Sequence, residues 1–301
     1  MGCHIKRTVP WGTASSYALV SDADSVDTAI VYVHGFLGNA QSTWEQVQYY
    51  ADRLEGEPFR DADLYFFDYP AEEQFVPASV SRLRDFLTTI YPSPPCALLE
   101  APLRDYDWRL PDDSPIVSLR DLRPYSRLVL VGHSLGAVVI RRLIADEAMS
   151  QDDARRNVLS VNPSRFLDAE LVLMAPAQIG FSPSGLNGLV HALPFSRFLV
   201  PYAAVFRAFQ DLTPGCYTLK QLNRETVRMA ASHPGSRAFS PRMLWGESED
   251  VVHEGRFDSD PPSLVEHAPG KNHVTVCKLT RDYLQPANIV VGGRAVARGT
   301  Q

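Results

Sequence analysis

Short apolar runs alternate with amphipathic stretches along most of the chain, and this alternation predicts an order of strands and helices. Thr28–His34 is a compact run rich in β-branched and aromatic residues, followed by a turn-rich loop and a helical pattern over Thr43–Leu54. Asp63–Tyr69 predicts a second strand and Val76–Tyr91 a second helix; Arg127–Val131 and Leu135–Met149 repeat the pair. Glu170–Ala175, Arg242–Trp245 and Ser263–His267 add further strands, and a helical stretch is expected through Tyr283. Apolar runs separated by helices mark strands buried on both faces. The fold class is therefore α/β, with a doubly wound, mostly parallel sheet.

Two segments break the rhythm. Pro92–Pro124 is rich in Pro, Asp and Arg and predicts a surface excursion between the second helix and the third strand. Phe181–Ser240 opens with a Ser-Pro-Ser-Gly loop and continues into apolar positions at near-helical spacing, from Leu186 and Leu189 to Phe206 and Phe209. It is expected to be an inserted helical cap above the sheet, either a lid over an acyl chain or a helix pair packed on the core. No internal repeat or low-complexity linker divides the chain, so residues 1–301 are expected to form one domain carrying both insertions.

Composition narrows the class of function. A hydrophobic content of 45% and a charged content of 21% are globular values. A net charge of -6 argues against a nucleic-acid surface, and the basic residues, only four of them lysines, are scattered. Cys3, Cys96, Cys216 and Cys277 are far apart and lack zinc spacing, which predicts free thiols and a cytoplasmic setting. The segment from Met1 to Lys6 has no apolar signal core. The stretch from Gly188 to Phe209 contains Pro194, Arg197, Pro201 and Arg207, so no integral span is expected there, although transient contact with a membrane surface stays open. No dinucleotide, P-loop or HExxH motif calls for a cofactor or metal, and the pattern is silent on oligomeric state.

The sharpest local signal is Gly132-His133-Ser134-Leu135-Gly136, placed directly between a predicted strand and a predicted helix. A nucleophilic serine needs its Oγ projected from a tight strand-to-helix turn, and flanking glycines relieve the crowding there. A serine alone is weak, so an orienting acid and then a histidine should follow in chain order. Asp250, past the strand at Arg242 and ahead of Val251-Val252, is the leading acid; Glu249 and Glu247 compete. His273, in the turn Gly270–Val274, is the leading general base, with His267 the fallback and His253 close to the acid loop. The oxyanion donors expected are the backbone N–H groups of Leu135 and of Phe36, within His34-Gly35-Phe36-Leu37-Gly38.

With these pieces assembled, the chain resembles the α/β-hydrolase superfamily across nearly its whole length. More narrowly, it is similar to the serine-esterase and lipase-like group that includes the SERAC-type and GPI-inositol-deacylase-type proteins. His34–Gly38 through Thr43-Trp44, Gly132–Gly136 with Val138-Val139, and His273 with Cys277-Lys278 carry the resemblance. It departs at Ala137, where glycine is common, and in the acid loop Gly246–Asp250, which is one residue longer than usual. The resemblance implies an α/β-hydrolase fold and a triad of Ser134, Asp250 and His273 hydrolysing esters, often lipid esters. The expected partner is then a small-molecule or lipid ester. Thioester hydrolysis or acyl transfer by the same triad, and a catalytically silent binding module, are the alternatives.

Overall fold

A computed structural model of the chain describes residues 4–9, 15–54, 58–102, 116–157, 164–181 and 210–292. Ten strands are described: β1 (His4–Thr8), β2 (Tyr17–Ser21), β3 (Thr28–Val33), β4 (Ala62–Phe67), β5 (Glu100–Pro102), β6 (Ile116–Ser118), β7 (Arg127–His133), β8 (Glu170–Met174), β9 (Arg242–Gly246) and β10 (Val265–Ala268). The helices are α1 (Ala40–Tyr50), α2 (Val76–Ile90), the single turn α3 (Cys96–Leu99), α4 (Leu135–Arg156), α5 (Tyr217–Ser232) and α6 (Gln285–Val291).

Eight strands form one sheet in the order β1-β2-β4-β3-β7-β8-β9-β10. Every neighbouring pair from β4 to β10 is parallel, while β2 joins β4, and β1 joins β2, antiparallel. The sheet is thus doubly wound and mostly parallel, as the run of apolar segments predicts. Alternation along β4 shows both faces covered. Tyr65 and Phe67 meet Phe86 of α2, whereas Phe66 stacks on Tyr17 and Tyr32, and Tyr32 in turn meets Trp44 of α1. Every residue of β3 and of β4 is buried, which is why those runs are apolar save for Thr28 and Asp63.

Asp63 is fully buried and paid for by partners: it accepts from the Ser21 N–H at 2.9 Å and from the side chains of Arg120 and Tyr125. Those bonds pin the returning end of the excursion to the sheet. Within that excursion, β5 and β6 pair antiparallel, and residues 103–115 lie outside the described set.

Several boundaries differ from expectation for local reasons. α1 begins at Ala40 because Asn39 caps it, its side chain accepting from the Ser42 N–H at 2.7 Å, while Asp68 accepts from the Ala40 N–H at 2.8 Å. Pro262–Leu264 is a 3-10 turn, so β10 starts two residues later than its apolar pattern suggests. The helix expected after His273 does not form. The Asn272 side chain accepts from the N–H groups of Val274 and Thr275, folding the chain into turns, and the helix comes later, at α6, with Pro286 in its first turn. The hairpin β1–β2, absent from the sequence reading, extends the sheet beyond β4.

Of the cap expected at 181–240, residues 182–209 lie outside the described set. Of its remainder, α5 packs beside α4, burying Leu219, Leu222 and Met229, and α4 packs on α2. Among the described residues, no helix is long and apolar enough to cross a membrane.

Candidate active site

Ser134 stands at the junction of β7 and α4, with φ +53° and ψ -118°. A positive φ is strained for serine, and the junction holds it there with three backbone bonds. The Ser134 N–H donates to the Met174 carbonyl at 3.0 Å, and the Ser134 carbonyl accepts from Ala137 and Ala177, each at 3.2 Å. Both elbow glycines are required by space. A Cβ on Gly132 would lie 2.7 Å from the Ala137 backbone, and one on Gly136 would lie 2.3 Å from the Val33 carbonyl. Ala137, next along α4, is itself fully buried. Ser134 also faces the first turn of α4, whose leading N–H groups, Leu135 among them, have no partner within the helix.

Opposite Ser134 lies the loop that follows β3. A Cβ on Gly35 would come within 2.8 Å of the Ser134 Cβ, so only glycine lets the two backbones approach this closely. The Gly38 N–H closes a turn on the Gly35 carbonyl at 3.1 Å. His34, fully buried, anchors the loop from below. Its Nδ1 donates to the Gly35 carbonyl at 2.9 Å, its Nε2 accepts from the Tyr69 N–H at 3.3 Å, and its carbonyl accepts from the Tyr69 hydroxyl at 2.9 Å. Phe36 sits in this loop with its ring 6.1 Å from that of Phe181.

His273 follows β10. Its Nδ1 lies 3.0 and 3.1 Å from the two carboxylate oxygens of Glu249. A carboxylate in this setting only accepts, so Nδ1 carries a proton, and it is Nε2 that bears the lone pair whenever the ring is neutral. That Nε2 is buried and hydrogen-bonded to nothing among the described residues. Glu249 Oε1 also accepts from the N–H groups of Val251 and Val252, at 3.0 and 3.1 Å. The carboxylate at the imidazole is thus Glu249 and not Asp250, which is exposed. The correction has a steric origin. Val251 and Val252 are buried, and with them fixed the chain turns position 249 inward and position 250 outward. Glu247 instead accepts from the Gly270 N–H at 3.0 Å, tying the loop after β9 to the loop that carries His273. His267 is half-exposed on β10 and bonds Glu254 at 2.8 Å, and His253 is exposed.

One participant was not singled out by the sequence. His133, inside the elbow pentapeptide, donates from Nε2 to the His273 carbonyl at 2.8 Å, and the two rings lie 4.9 Å apart. Trp44, fully buried, meets the His133 ring edge-on at 6.5 Å. Burial pushes the pKa of His133 well below 6.5, reinforced by the nearby His273. Its signal in the sequence was a polar ring at the end of an otherwise apolar strand.

Ser134 and His273 share the wall of one cavity of about 180 Å3, together with Gly35, Phe36, Leu37, Gly38, Ser42, Thr43, His133, Val274, Cys277 and Lys278. Cys277 is buried there as a thiol, its pKa raised by burial to about 11. Among the described residues, no three His, Cys, Asp or Glu side chains are grouped to hold a metal ion.

With this geometry in view, the comparisons with known proteins fall into place. The sequence matches the alpha/beta hydrolase family over residues 30–289, and the chain belongs to that family. No sequence among curated proteins matches it. Similar solved structures include phospholipase PlaB from Legionella pneumophila in complex with thio-NAD, 14% identical over 73% of this chain, with a TM-score of 0.39; this chain spans 38% of the length of that one. They also include carboxylesterase CesB (YbfK) from Bacillus subtilis, 12% identical, covering 98% of this chain and 93% of that one, with a TM-score of 0.45. A third is YbtT, a type II thioesterase from the yersiniabactin biosynthetic pathway, 13% identical, covering 92% and 98%, with a TM-score of 0.49. Membership rests on the family match and not on these distant structures.

Proposed function

We propose that this protein is a serine hydrolase that cleaves carboxylic esters through an acyl-enzyme on Ser134. The observation that carries the proposal is the setting of His273: Nδ1 is committed to Glu249, while Nε2, without a partner among the described residues, belongs to a side chain on the same cavity wall as Ser134. In this reading His273 Nε2 takes the Ser134 proton as Oγ attacks the ester carbonyl, and Glu249 steadies the imidazolium that forms. The N–H groups of Phe36 and Leu135 hold the oxyanion of the tetrahedral intermediate. His273 then returns the proton to the departing alcohol. A water, activated by the same imidazole, attacks the acyl-enzyme and frees the acid and the serine.

Apolar walls supplied by Phe36, Leu37, Val274 and Cys277 support a preference for a hydrophobic acyl group. The unpaired thiols Cys96, Cys216 and Cys277 support a reducing, cytoplasmic setting. Glu249 in place of Asp250 leaves the chemistry intact, because either carboxylate can orient the imidazole.

The test is a fluorophosphonate probe with p-nitrophenyl valerate as substrate. Wild type is expected to be labelled and to turn over the ester; Ser134→Ala is expected to resist labelling and to lose on the order of 10^4-fold or more in kcat. Folded wild type that resists the probe and spares the ester would overturn the proposal, and ester binding without turnover would mark a silent binding module.

A further inference from the structure

The cavity holding Ser134 contains a cation that the proposed reaction does not use. Lys278 Nζ donates to the carbonyl of Thr43 at 2.7 Å and to that of Ser42, and all three residues line the wall. An ammonium has three donors and a full charge. Two neutral carbonyls occupy two donors and leave the charge uncompensated, and no carboxylate pairs with it among the described residues. A half-buried charge in a narrow cleft ordinarily has an opposite charge beside it.

The surroundings add to the imbalance. Ser42 and Thr43 belong to the first turn of α1, the positive end of that helix, where a cation is the disfavoured sign. His133, the neighbouring ring, is kept neutral by burial, and Glu249 is not on the cavity wall. Lys278 is the one aspartate, glutamate, lysine or arginine side chain among the described residues that line the cavity.

We infer that Lys278 selects the substrate, and that the ester this site takes carries an anionic group within the span of the cavity. The inference rests on the ester-hydrolase reading above. Oxygens of a carboxylate or phosphate would take the third ammonium donor and cancel the charge, while the carbonyl to be attacked sits at Ser134. The same ammonium could instead be only a strut between the base loop and α1, and a charge-dependent readout separates the two roles.

The experiment compares matched esters. For an anion on the acyl side the pair is p-nitrophenyl valerate and mono(p-nitrophenyl) glutarate; for one on the alcohol side it is phenyl valerate and 4-carboxyphenyl valerate. Wild type at low ionic strength should prefer the anionic member of one pair by about tenfold in kcat/KM. Added salt should erode that ratio. Lys278→Gln should bring it close to unity, Lys278→Arg should keep it and Lys278→Glu should invert it. A wild-type ratio of one in both pairs, or an unchanged ratio in Lys278→Gln with both rates lowered together, overturns the inference. If wild type turns over none of these esters, the hydrolase reading falls separately. Calorimetric titration of the same pairs into Ser134→Ala then reads the charge preference without turnover: tighter binding of an anionic member that Lys278→Gln abolishes sustains the assignment, and equal binding rejects it.

Discussion

From neighbouring positions in a tight loop, a glutamate and an aspartate reach opposite sides of the chain. Glu249 turns inward, where its carboxylate takes the His273 Nδ1–H and the N–H groups of Val251 and Val252, while Asp250 faces solvent. Glu249→Gln should therefore leave the fold intact yet lower kcat by on the order of 10^3 to 10^4, because an amide can hold the wrong imidazole tautomer. Asp250→Asn should change kcat by less than about threefold, within the range of a surface substitution. Steady-state kinetics on p-nitrophenyl valerate check both, and comparable losses would put Asp250 back in contention. The sequence favoured Asp250 over Glu249 and Glu247, whereas Glu249 is the one that meets His273; loops lack the periodicity that tells inside from outside. Ser134 and His273 could be singled out from the sequence because each follows a strand, at the end where a side chain can stand clear of the ladder.

Between elements, the helix that follows Ser134 is bound to the loop that follows Glu249. Arg141, in the second turn of α4, donates to Asp260 at 2.7 Å; both side chains are buried, and the guanidinium lies over the Phe257 ring. Asp260 also accepts from the Phe257 N–H at 2.7 Å. Removing one member strands the other's charge, so Arg141→Met should destabilise the protein by about 3–5 kcal/mol. The double variant Arg141→Met/Asp260→Asn should lose less than the two single losses combined, and urea denaturation of the four proteins would measure that coupling. Strict additivity would mean that the pair does not act as a unit. Nothing in the apolar pattern announced this contact, because Arg141 reads as a polar break in a helical stripe. The same pattern misled at 274–283, where local side-chain bonds from Asn272 outweigh helical spacing, and it passed over β1 and β2. It succeeded at β3, β7 and β8, where both faces are buried, although β2 is buried just as fully and escaped it.

Across the whole molecule, the loops after β3, β7, β9 and β10 gather at one end of neighbouring parallel strands, and the sheet order brings distant stretches of sequence together there. Global stability should register one member of that gathering. Burial holds His133 neutral with its pKa well below 6.5, whereas the unfolded chain protonates it near 6.5. Below that pH the unfolded state binds the extra proton, so stability is full above 6.5 and declines as pH falls beneath it. The share due to this ring should approach a slope of about 1.4 kcal/mol per pH unit. His133→Gln, compared by denaturant melts between pH 7.5 and 5, should show a shallower decline than wild type; parallel curves would assign the acid sensitivity elsewhere. The hydrogen bond from His133 to the His273 carbonyl also bears on how such proteins diversify. A transplanted pentapeptide that kept Ser134 and both glycines but brought a different side chain at 133 would strip the loop of His273 of one of its ties, so this turn and that distant loop are coupled in what each can accept.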